Sequence, residues 1–348
     1  MLERIAPEQH DTLDGVPEPS ENPRLVGHDQ PAAMLASAYR SGKLPHALLL
    51  SGPQGIGKAT LAFHLAYHLL KHPSHEDAPE QLATPDPASP LYRQIAMSAH
   101  PGVLHLTRPV NDKTKGFKTV VTVEEIRRVS RFLSMTSHDG GYRIVIVDPA
   151  DDMNVNAANA LLKNLEEPPA RALFILITHS AGSLLPTIRS RCQAVRLAPL
   201  DANTLFEALV GFEPPTDEAA RKALVERSGG SPRMAIMLTQ YGGLDITDAT
   251  DEVARAPQFN VRAAHKLADV VSGRDGAIPF EIFNRHVLDL LADAASAAAR
   301  VGDLSRANRF SELWQESRIA IEEADTYNLD RKQHALNMMI RLQDTFRM

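Results

Sequence analysis

The sequence predicts an α/β fold with a parallel sheet up to Pro199 and an all-helical region after it. Four short apolar segments have the length of strands that are buried on both faces of such a sheet: 47–50, 103–106, 144–147 and 174–178. Segments with helical spacing of apolar residues lie between them, and strands that alternate with helices form parallel sheets. After Pro199 the apolar residues recur only at helical spacing.

Local signals predict the helices that separate and follow these strands. Thr122 and Glu125 stand three residues apart at the head of an apolar series, the pattern of a capping box at a helix start. One helix is expected to end before Pro168, because proline lacks the amide hydrogen that a helix interior needs. Amphipathic spacing predicts helices at 29–40, 60–71, 156–165, 280–301 and 304–324.

The composition is that of a globular protein with more than one domain. The 348 residues are 43% hydrophobic and 23% charged. A formal net charge of −6 argues against a protein that coats nucleic acid through bulk charge. The single cysteine, Cys192, excludes an internal disulfide and an all-cysteine zinc site within one chain. Without an apolar run of about 18 residues or a signal peptide, the cytoplasm is the expected compartment.

Changes in composition divide the chain into four predicted parts. Residues 1–22 are acidic and contain prolines, and they have too little apolar surface to offset the entropy of ordering, so a disordered lead is expected. The α/β core follows at 23–199. Proline and glycine pairs then delimit a small helical domain at 200–243 and a larger helical domain at 244–348.

A glycine-rich loop directly after the first strand fits the phosphate-binding pattern G-x-x-x-x-G-K-[ST] in its first seven positions. In such a loop, backbone N–H groups point into one concavity, the lysine adds a positive charge, and the following helix contributes its positive end. The alternative interpretation is a glycine-rich turn with an exposed lysine. The candidate nucleotide-binding residues are Gly52, Pro53, Gln54, Gly55, Ile56, Gly57, Lys58, Ala59 and Thr60.

The groups that would hold magnesium and activate water are incomplete. The eighth position of the loop, which should carry a hydroxyl ligand for magnesium, is Ala59, and Thr60 is rotated by about 100° along the helix. The strand 144–147 ends in Asp148, a candidate to support the metal, but the next residue is Pro149 and not a glutamate. Asp151 and Asp152 are interpreted as helix-capping residues. Hydrolysis by this chain alone is therefore not expected.

Three further segments carry a family resemblance. They are Leu-Leu-Lys-Asn-Leu-Glu-Glu-Pro-Pro at 161–169, Phe-Ile-Leu-Ile-Thr at 174–178 and Ile-Arg-Ser-Arg-Cys at 188–192. Together with the phosphate loop, they make residues 23–237 resemble clamp-loader subunits of the AAA+ class. The resemblance implies an AAA+ core with a parallel sheet, a small helical lid at 200–243 and an all-α collar domain at 244–348.

Within that family, the chain resembles the stator subunit of the bacterial DNA polymerase III clamp loader. Such a subunit supports ATP-driven loading of the sliding clamp onto primed DNA. Its implied partners are the gamma/tau and delta subunits in a five-subunit ring, with the sliding clamp and primer-template DNA reached through the complex. The alternative is a self-sufficient ATPase such as the gamma/tau motor subunit. ATP or ADP is the implied cofactor, with magnesium held weakly at most and no zinc, and the chain's own ATPase activity is expected to be weak or absent.

The resemblance also assigns roles to three single residues. Arg191, in Ser-Arg-Cys, is implied to be an arginine finger that acts in the ATP site of a neighbouring subunit. Thr178 corresponds to the first sensor of the family, and Arg233 to the second sensor in the lid. Without the resemblance, Arg191 would be read as a solvated surface arginine and Thr178 as an ordinary strand residue. If the chain holds no ATP, Arg233 is expected only to anchor the lid.

Overall fold

The structure is a computed structural model that describes residues 4–111, 116–134, 141–273 and 276–347. The chain divides into two compact units, Met1–Ala208 and Leu209–Met348. The first unit contains a sheet, and the second is built of helices in the ranges described. The predicted fold class, a parallel-sheet core followed by helical parts, is confirmed.

The first unit is organised around a five-stranded parallel sheet with the strand order β2-β3-β4-β1-β5. In β1, Leu48 and Leu50 face one apolar cluster, whereas Ala47 and Leu49 face a second cluster on the opposite side. The sheet is thus buried on both faces, which explains its continuous apolar runs. The strands are β1 Ala47–Ser51, β2 Val103–Leu106, β3 Arg143–Val147, β4 Ala172–Thr178 and β5 Gln193–Arg196.

The helices of the first unit cover both faces of the sheet. They are α1 Asp29–Arg40, α2 Lys58–Lys71, α3 Pro90–Ala96, α4 Val123–Ser134, α5 Val155–Glu166, α6 Pro186–Arg189 and α7 Ala202–Ala208. Single turns of 3-10 helix lie at Pro19–Glu21, Ala150–Asp152 and Ala181–Ser183. The long α2 follows the phosphate loop directly and is buried along almost its whole length, so the loop is attached to the core of the unit.

The four predicted strands are all present, and β5 was not predicted. β5 pairs with β1 in parallel, with Leu48 opposite Gln193. Three of its four residues are exposed, and only Val195 is buried. A short edge strand of this kind has no apolar run, so its sequence carries no strand signal.

The expectation of a disordered lead at 1–22 is wrong for the residues that the structure describes, 4–22. The Glu21 carboxylate accepts hydrogen bonds from the backbone N–H groups of Ile5 (2.8 Å) and Ala6 (3.0 Å). Tyr92 on α3 donates its hydroxyl to the Glu21 carbonyl, and Leu13 is only 3% exposed. The composition predicted disorder because it registers apolar surface, whereas hydrogen bonds to Glu21 hold this segment.

The second unit contains seven helices within its described residues. They are α8 Glu218–Ser228, α9 Pro232–Gln240, α10 Gly243–Arg255, α11 Val261–Val271, α12 Ala277–Arg300, α13 Leu304–Tyr327 and α14 Arg331–Arg347. The predicted helices 280–301 and 304–324 correspond to α12 and α13. None of the helices described in the chain is long and apolar enough to cross a membrane.

The predicted domain boundaries at 199/200 and 243/244 differ from the structure. α7 belongs to the first unit, and it packs so closely there that a Cβ on Gly27 would lie 2.6 Å from the methyl group of Thr204 on α7. The rest of the predicted lid and the predicted collar form one compact unit. Arg227 on α8 bonds to the Thr247 hydroxyl on α10 at 2.7 Å, across the expected boundary. Glycine pairs were mistaken for linkers, although they serve here as tight turns between packed helices.

Candidate functional site

The phosphate loop lies between β1 and α2, and its shape depends on glycine. Gly52, Gly55 and Gly57 have φ angles of 154°, 74° and 102°, which residues with a side chain rarely adopt. At Gly52 there is also no room, because a Cβ would lie 2.4 Å from the Leu197 carbonyl oxygen. The loop therefore has the glycine-dependent backbone conformation that its sequence pattern predicts.

Lys58 is turned back onto its own loop. Its ammonium group donates to the carbonyl oxygens of Gly52 at 2.7 Å and Pro53 at 2.5 Å, and the residue is only 3% exposed. The positive charge is therefore held at the loop, beside the start of α2. A ligand phosphate would have to draw the ammonium group away from these carbonyl oxygens.

The loop lacks a hydroxyl at the position where a magnesium ligand is expected. Ala59 packs against the apolar cluster on one face of the sheet. Thr60 is buried, as expected from the rotation along α2. Within the described parts of the chain, no group of three or more His, Cys, Asp or Glu residues is arranged to hold a metal ion. The side chain at the eighth position of the loop therefore cannot ligate magnesium.

His28 packs against the phosphate loop. It was not predicted as a site residue. Its Nε2 donates to the Ile56 carbonyl oxygen at 2.6 Å, and its ring lies 3.5 Å from the position of a Cβ on Gly57. Burial lowers the pKa of His28. Only the tertiary structure brings this residue, which precedes α1, under the loop.

Asp148 and Thr178 join the loop at the carboxyl edge of the sheet. Asp148 follows β3 and Thr178 ends β4, and β4 lies between β3 and β1. The Asp148 carboxyl is partly exposed, and desolvation, followed by the charge of Asp11, raises its pKa to about 7. This carboxyl therefore keeps its proton more readily than an ordinary aspartate does.

Asp151 is the main hydrogen-bond acceptor at this edge. Its carboxylate accepts from the Thr178 hydroxyl at 2.6 Å, from the His179 backbone N–H at 2.6 Å and from the Ser183 hydroxyl at 2.5 Å. The candidate sensor Thr178 is thus fully buried and engaged within the chain. Because α5 is capped by Asn154, the interpretation of Asp151 as a capping residue is wrong.

Asp152 is also bound within the chain and caps no helix. The Arg108 guanidinium donates to both of its carboxylate oxygens, at 2.5 and 3.1 Å. Nearby, burial and then the charge of Lys58 lower the pKa of His179. The carboxyl edge therefore combines a loop lysine with several acidic groups that are engaged in internal bonds.

Arg191 lies at the other edge of the sheet. It follows α6 and precedes β5, so it stands at the amino end of a strand that runs parallel to β1. Its guanidinium is 2.6 Å from the Glu166 carboxylate and donates to the Thr187 carbonyl oxygen at 2.9 Å. The side chain is 36% exposed. The structure thus separates Arg191 from the other candidate residues of the first unit.

Arg233 belongs to the second unit, on α9. Its guanidinium lies 3.8 Å from the Glu281 carboxylate on α12, and its side chain is mostly buried. Within this unit, Arg233 therefore connects two helices.

The sheet order, the loop after β1 and the acidic end of β3 define a P-loop fold of the AAA+ class. Residues 27–201, which are 175 of the 348 residues, match the family model described as DNA polymerase III, delta subunit. The chain belongs to this family of DNA polymerase III clamp-loader subunits, and the resemblance found in the sequence is confirmed.

The individual relatives are DNA polymerase III subunits of several bacteria. DNA polymerase III subunit delta′ of Pseudomonas aeruginosa is 36% identical over 57% of this chain and 56% of its own length. Subunit delta′ of Escherichia coli is 31% identical over 65% and 63%, and subunit gamma of Buchnera aphidicola is 28% identical over 64% and 58%. The chain thus spans about three fifths of the length of these relatives.

Proposed function

We propose that the chain is a delta′-type stator subunit of a bacterial DNA polymerase III clamp loader. Its role is to support ATP-driven loading of the sliding clamp onto primer-template DNA by supplying Arg191 to the ATP site of a neighbouring motor subunit. The proposed partners are the gamma/tau and delta subunits in a five-subunit ring. The proposed compartment is the cytoplasm.

The observation that carries this proposal is the position of Arg191 relative to the chain's own phosphate loop. The loop follows the carboxyl end of β1, and Arg191 stands near its amino end. Five residues of strand at about 3.3 Å each separate the two edges by roughly 16 Å. An arginine finger must reach the γ-phosphate, so this separation supports a role for Arg191 at a nucleotide of another chain and not at its own loop.

The chain's own phosphate loop binds a nucleotide in the proposed function but hydrolyses it weakly or not at all. The glycine backbone and Lys58 suit the phosphates of ATP or ADP. Ala59 at the magnesium position, together with Pro149 in place of a glutamate, makes hydrolysis weak or absent. We expect magnesium to bind weakly at most and zinc not to bind.

A self-sufficient ATPase is the second candidate, because a gamma subunit is also among the relatives. The two proposals differ in what the isolated chain does with ATP. ATP turnover by the purified chain that is lost in Lys58→Ala would favour the motor function. We expect no turnover above the background given by Lys58→Ala.

The decisive experiment replaces Arg191 by alanine in the reconstituted loader. DNA-stimulated ATP hydrolysis should fall at least about tenfold, because the developing charge on the γ-phosphate loses its partner. Arg189→Ala is the matched control, since Arg189 is exposed on the same short helix. Equal ATP turnover in the two variants would rule out the arginine-finger role of Arg191, provided that both variants enter the ring to the same extent.

A further inference from the structure

His179 directly follows β4, the strand that lies beside β1 and its phosphate loop. β4 and β1 run in parallel, and the last pair in their register is Thr178 opposite Ser51. The next residues along the two strands are His179 and Gly52, the first glycine of the loop. Neighbouring strands lie about 4.8 Å apart. The backbone of His179 therefore lies beside the start of the phosphate loop.

The alternation of side chains along β4 places His179 on the face of the sheet that carries α2. Ile177 belongs to the same apolar cluster as the buried residues of α2, whereas Leu176 belongs to the cluster on the opposite face. Thr178 lies on the side of Leu176, because its hydroxyl bonds to the 3-10 turn after β3, which packs in that cluster. Since successive side chains of a strand point to opposite faces, His179 follows Ile177 to the side of α2.

The charges around the His179 ring agree with this position. Lys58 is the first residue of α2, and its ammonium group donates to the Gly52 carbonyl oxygen at 2.7 Å. Burial lowers the pKa of His179, and the charge of Lys58 is the next largest cause, while nearby carboxylates act in the opposite direction. The ring is therefore close to the cation that would hold the phosphates of a nucleotide.

The backbone of His179 is fixed, but one nitrogen of its ring lacks a hydrogen bond. The backbone N–H donates to the Asp151 carboxylate at 2.6 Å. The ring atom Nδ1 is buried and has no hydrogen-bond partner within the residues that the structure describes. Buried polar atoms of native proteins are usually paired. A phosphate oxygen accepts hydrogen bonds from an imidazole N–H, so a bound phosphate group would give this ring a partner.

We propose that His179 is a phosphate-contacting residue of the chain's own nucleotide site and acts beside Lys58. Its ring donates a hydrogen bond to a phosphate group that lies on the loop. The contact adds a donor from the β4 side in a loop where Ala59 cannot ligate magnesium. This inference rests on the proposal that the loop accepts a nucleotide, and it is independent of the role of Arg191.

The first test is a titration of the full chain with a fluorescent ADP analogue. His179→Ala should weaken binding about tenfold, because a hydrogen bond to a charged phosphate oxygen is lost. His265→Ala is the matched control, since His265 is exposed on α11 in the second unit. Equal affinity of the two variants would overturn the assignment of His179 alone. Absence of binding by the chain without substitutions would remove the nucleotide from the loop, and this inference with it.

The second test needs no substitution, so it does not depend on the folding of a variant. Diethyl pyrocarbonate acylates accessible neutral imidazole nitrogens, and mass spectrometry of peptides gives the rate at His179 and at the exposed His265 as internal reference. Saturating ADP should slow the reaction of His179 at least about fivefold relative to His265, because only the unbound chain reacts. Adenosine, which has no phosphates, should not slow it.

Three outcomes of the second test contradict the phosphate contact. They are an unchanged rate at His179 with bound ADP, equal protection by adenosine, and no reaction of His179 in the free chain, since a ring closed to the reagent is closed to a phosphate as well. A failure here differs from failure of the arginine finger, which is measured by the ATP turnover of the loader with Arg191→Ala.

Discussion

The two edges of the sheet hold their polar groups in different ways. At the carboxyl edge, Lys58 is bonded to its own loop, and Thr178 and Asp152 have partners within the chain. At the amino edge, Arg191 is 36% exposed and pairs with Glu166, which is itself exposed. In the sequence, the first edge has the pattern of a phosphate loop without the hydroxyl at Ala59, and in the structure its polar groups are engaged internally. The second carries an arginine that is partly exposed to solvent.

This difference separates the polar groups that stabilise the P-loop fold from the exposed arginine for which we propose a function. Bonds such as that between Thr178 and Asp151 stabilise the carboxyl edge without any ligand. An exposed ion pair such as that of Arg191 and Glu166 contributes little to stability. Arg191 can therefore change its partner at little cost to the fold, and we expect stability and function to respond to opposite edges.

The largest expected effect on stability is at the carboxyl edge. Asp151→Ala removes the acceptor for the buried Thr178 hydroxyl and for the His179 N–H. Unsatisfied buried donors should lower the free energy of unfolding by about 2–4 kcal/mol, as measured by urea denaturation. The exposed Asp77 gives the control, because Asp77→Ala should change stability by less than about 0.5 kcal/mol. A loss below about 1 kcal/mol in Asp151→Ala would show that solvent replaces these bonds.

A smaller effect should appear on acidification, through the helix that follows the phosphate loop. His68 on α2 is buried, and its Nδ1 accepts a hydrogen bond from the Ala83 N–H at 3.0 Å. Burial, followed by the nearby charge of His72, lowers the pKa of His68 to about 4 from an ordinary value of 6.5. The unfolded chain therefore takes up a proton at higher pH than the native chain does. The contribution of neutral His68 to the free energy of unfolding is fully present above pH 6.5, and it falls as the pH decreases towards 4.

The measurement is the free energy of unfolding at pH 7 and at pH 4.5. The unmodified chain should lose about 1–2 kcal/mol more than His68→Gln over this interval, because glutamine does not titrate. His75→Gln is the control, since His75 is exposed and should leave the pH dependence unchanged. If the free energy of unfolding depends on pH in the same way in His68→Gln and His75→Gln, protonation of His68 does not cause the loss of stability in acid.

The smallest change in stability is expected at the amino edge, with a separate effect on function. Glu166→Gln should alter the free energy of unfolding by less than about 1 kcal/mol, because the pair with Arg191 is exposed. In the assembled loader it should lower kcat for ATP about two- to tenfold with KM unchanged, because Arg191 loses its orienting partner.

The neighbouring Glu167 provides the control for this substitution. Glu167 is exposed at the end of α5, and Glu167→Gln should leave both stability and turnover unchanged. A rise in kcat with Glu166→Gln would contradict the prediction, since it would mean that Glu166 holds Arg191 away from its target.

Features with a local sequence signal were predicted, and features made by distant contacts were not. The apolar runs predict β1 to β4, and the glycines of the loop have the positive φ angles that the pattern requires. The edge strand β5 has only one buried residue, so it gives no run to detect. The segment 4–22 is held by Glu21 through backbone amides 15 and 16 residues away, which no local spacing encodes.

The sequence by itself determined the phosphate loop, its missing hydroxyl at Ala59 and the membership in the clamp-loader family, because these depend on residue types at short spacing. Only the tertiary structure decided which side chains meet. It placed Arg191 with Glu166 at the amino edge of the sheet, and Gln9 with Thr107 at the carboxyl edge. The physical reason is that packing and the satisfaction of buried polar groups join residues far apart in the chain, and such contacts leave no periodic pattern.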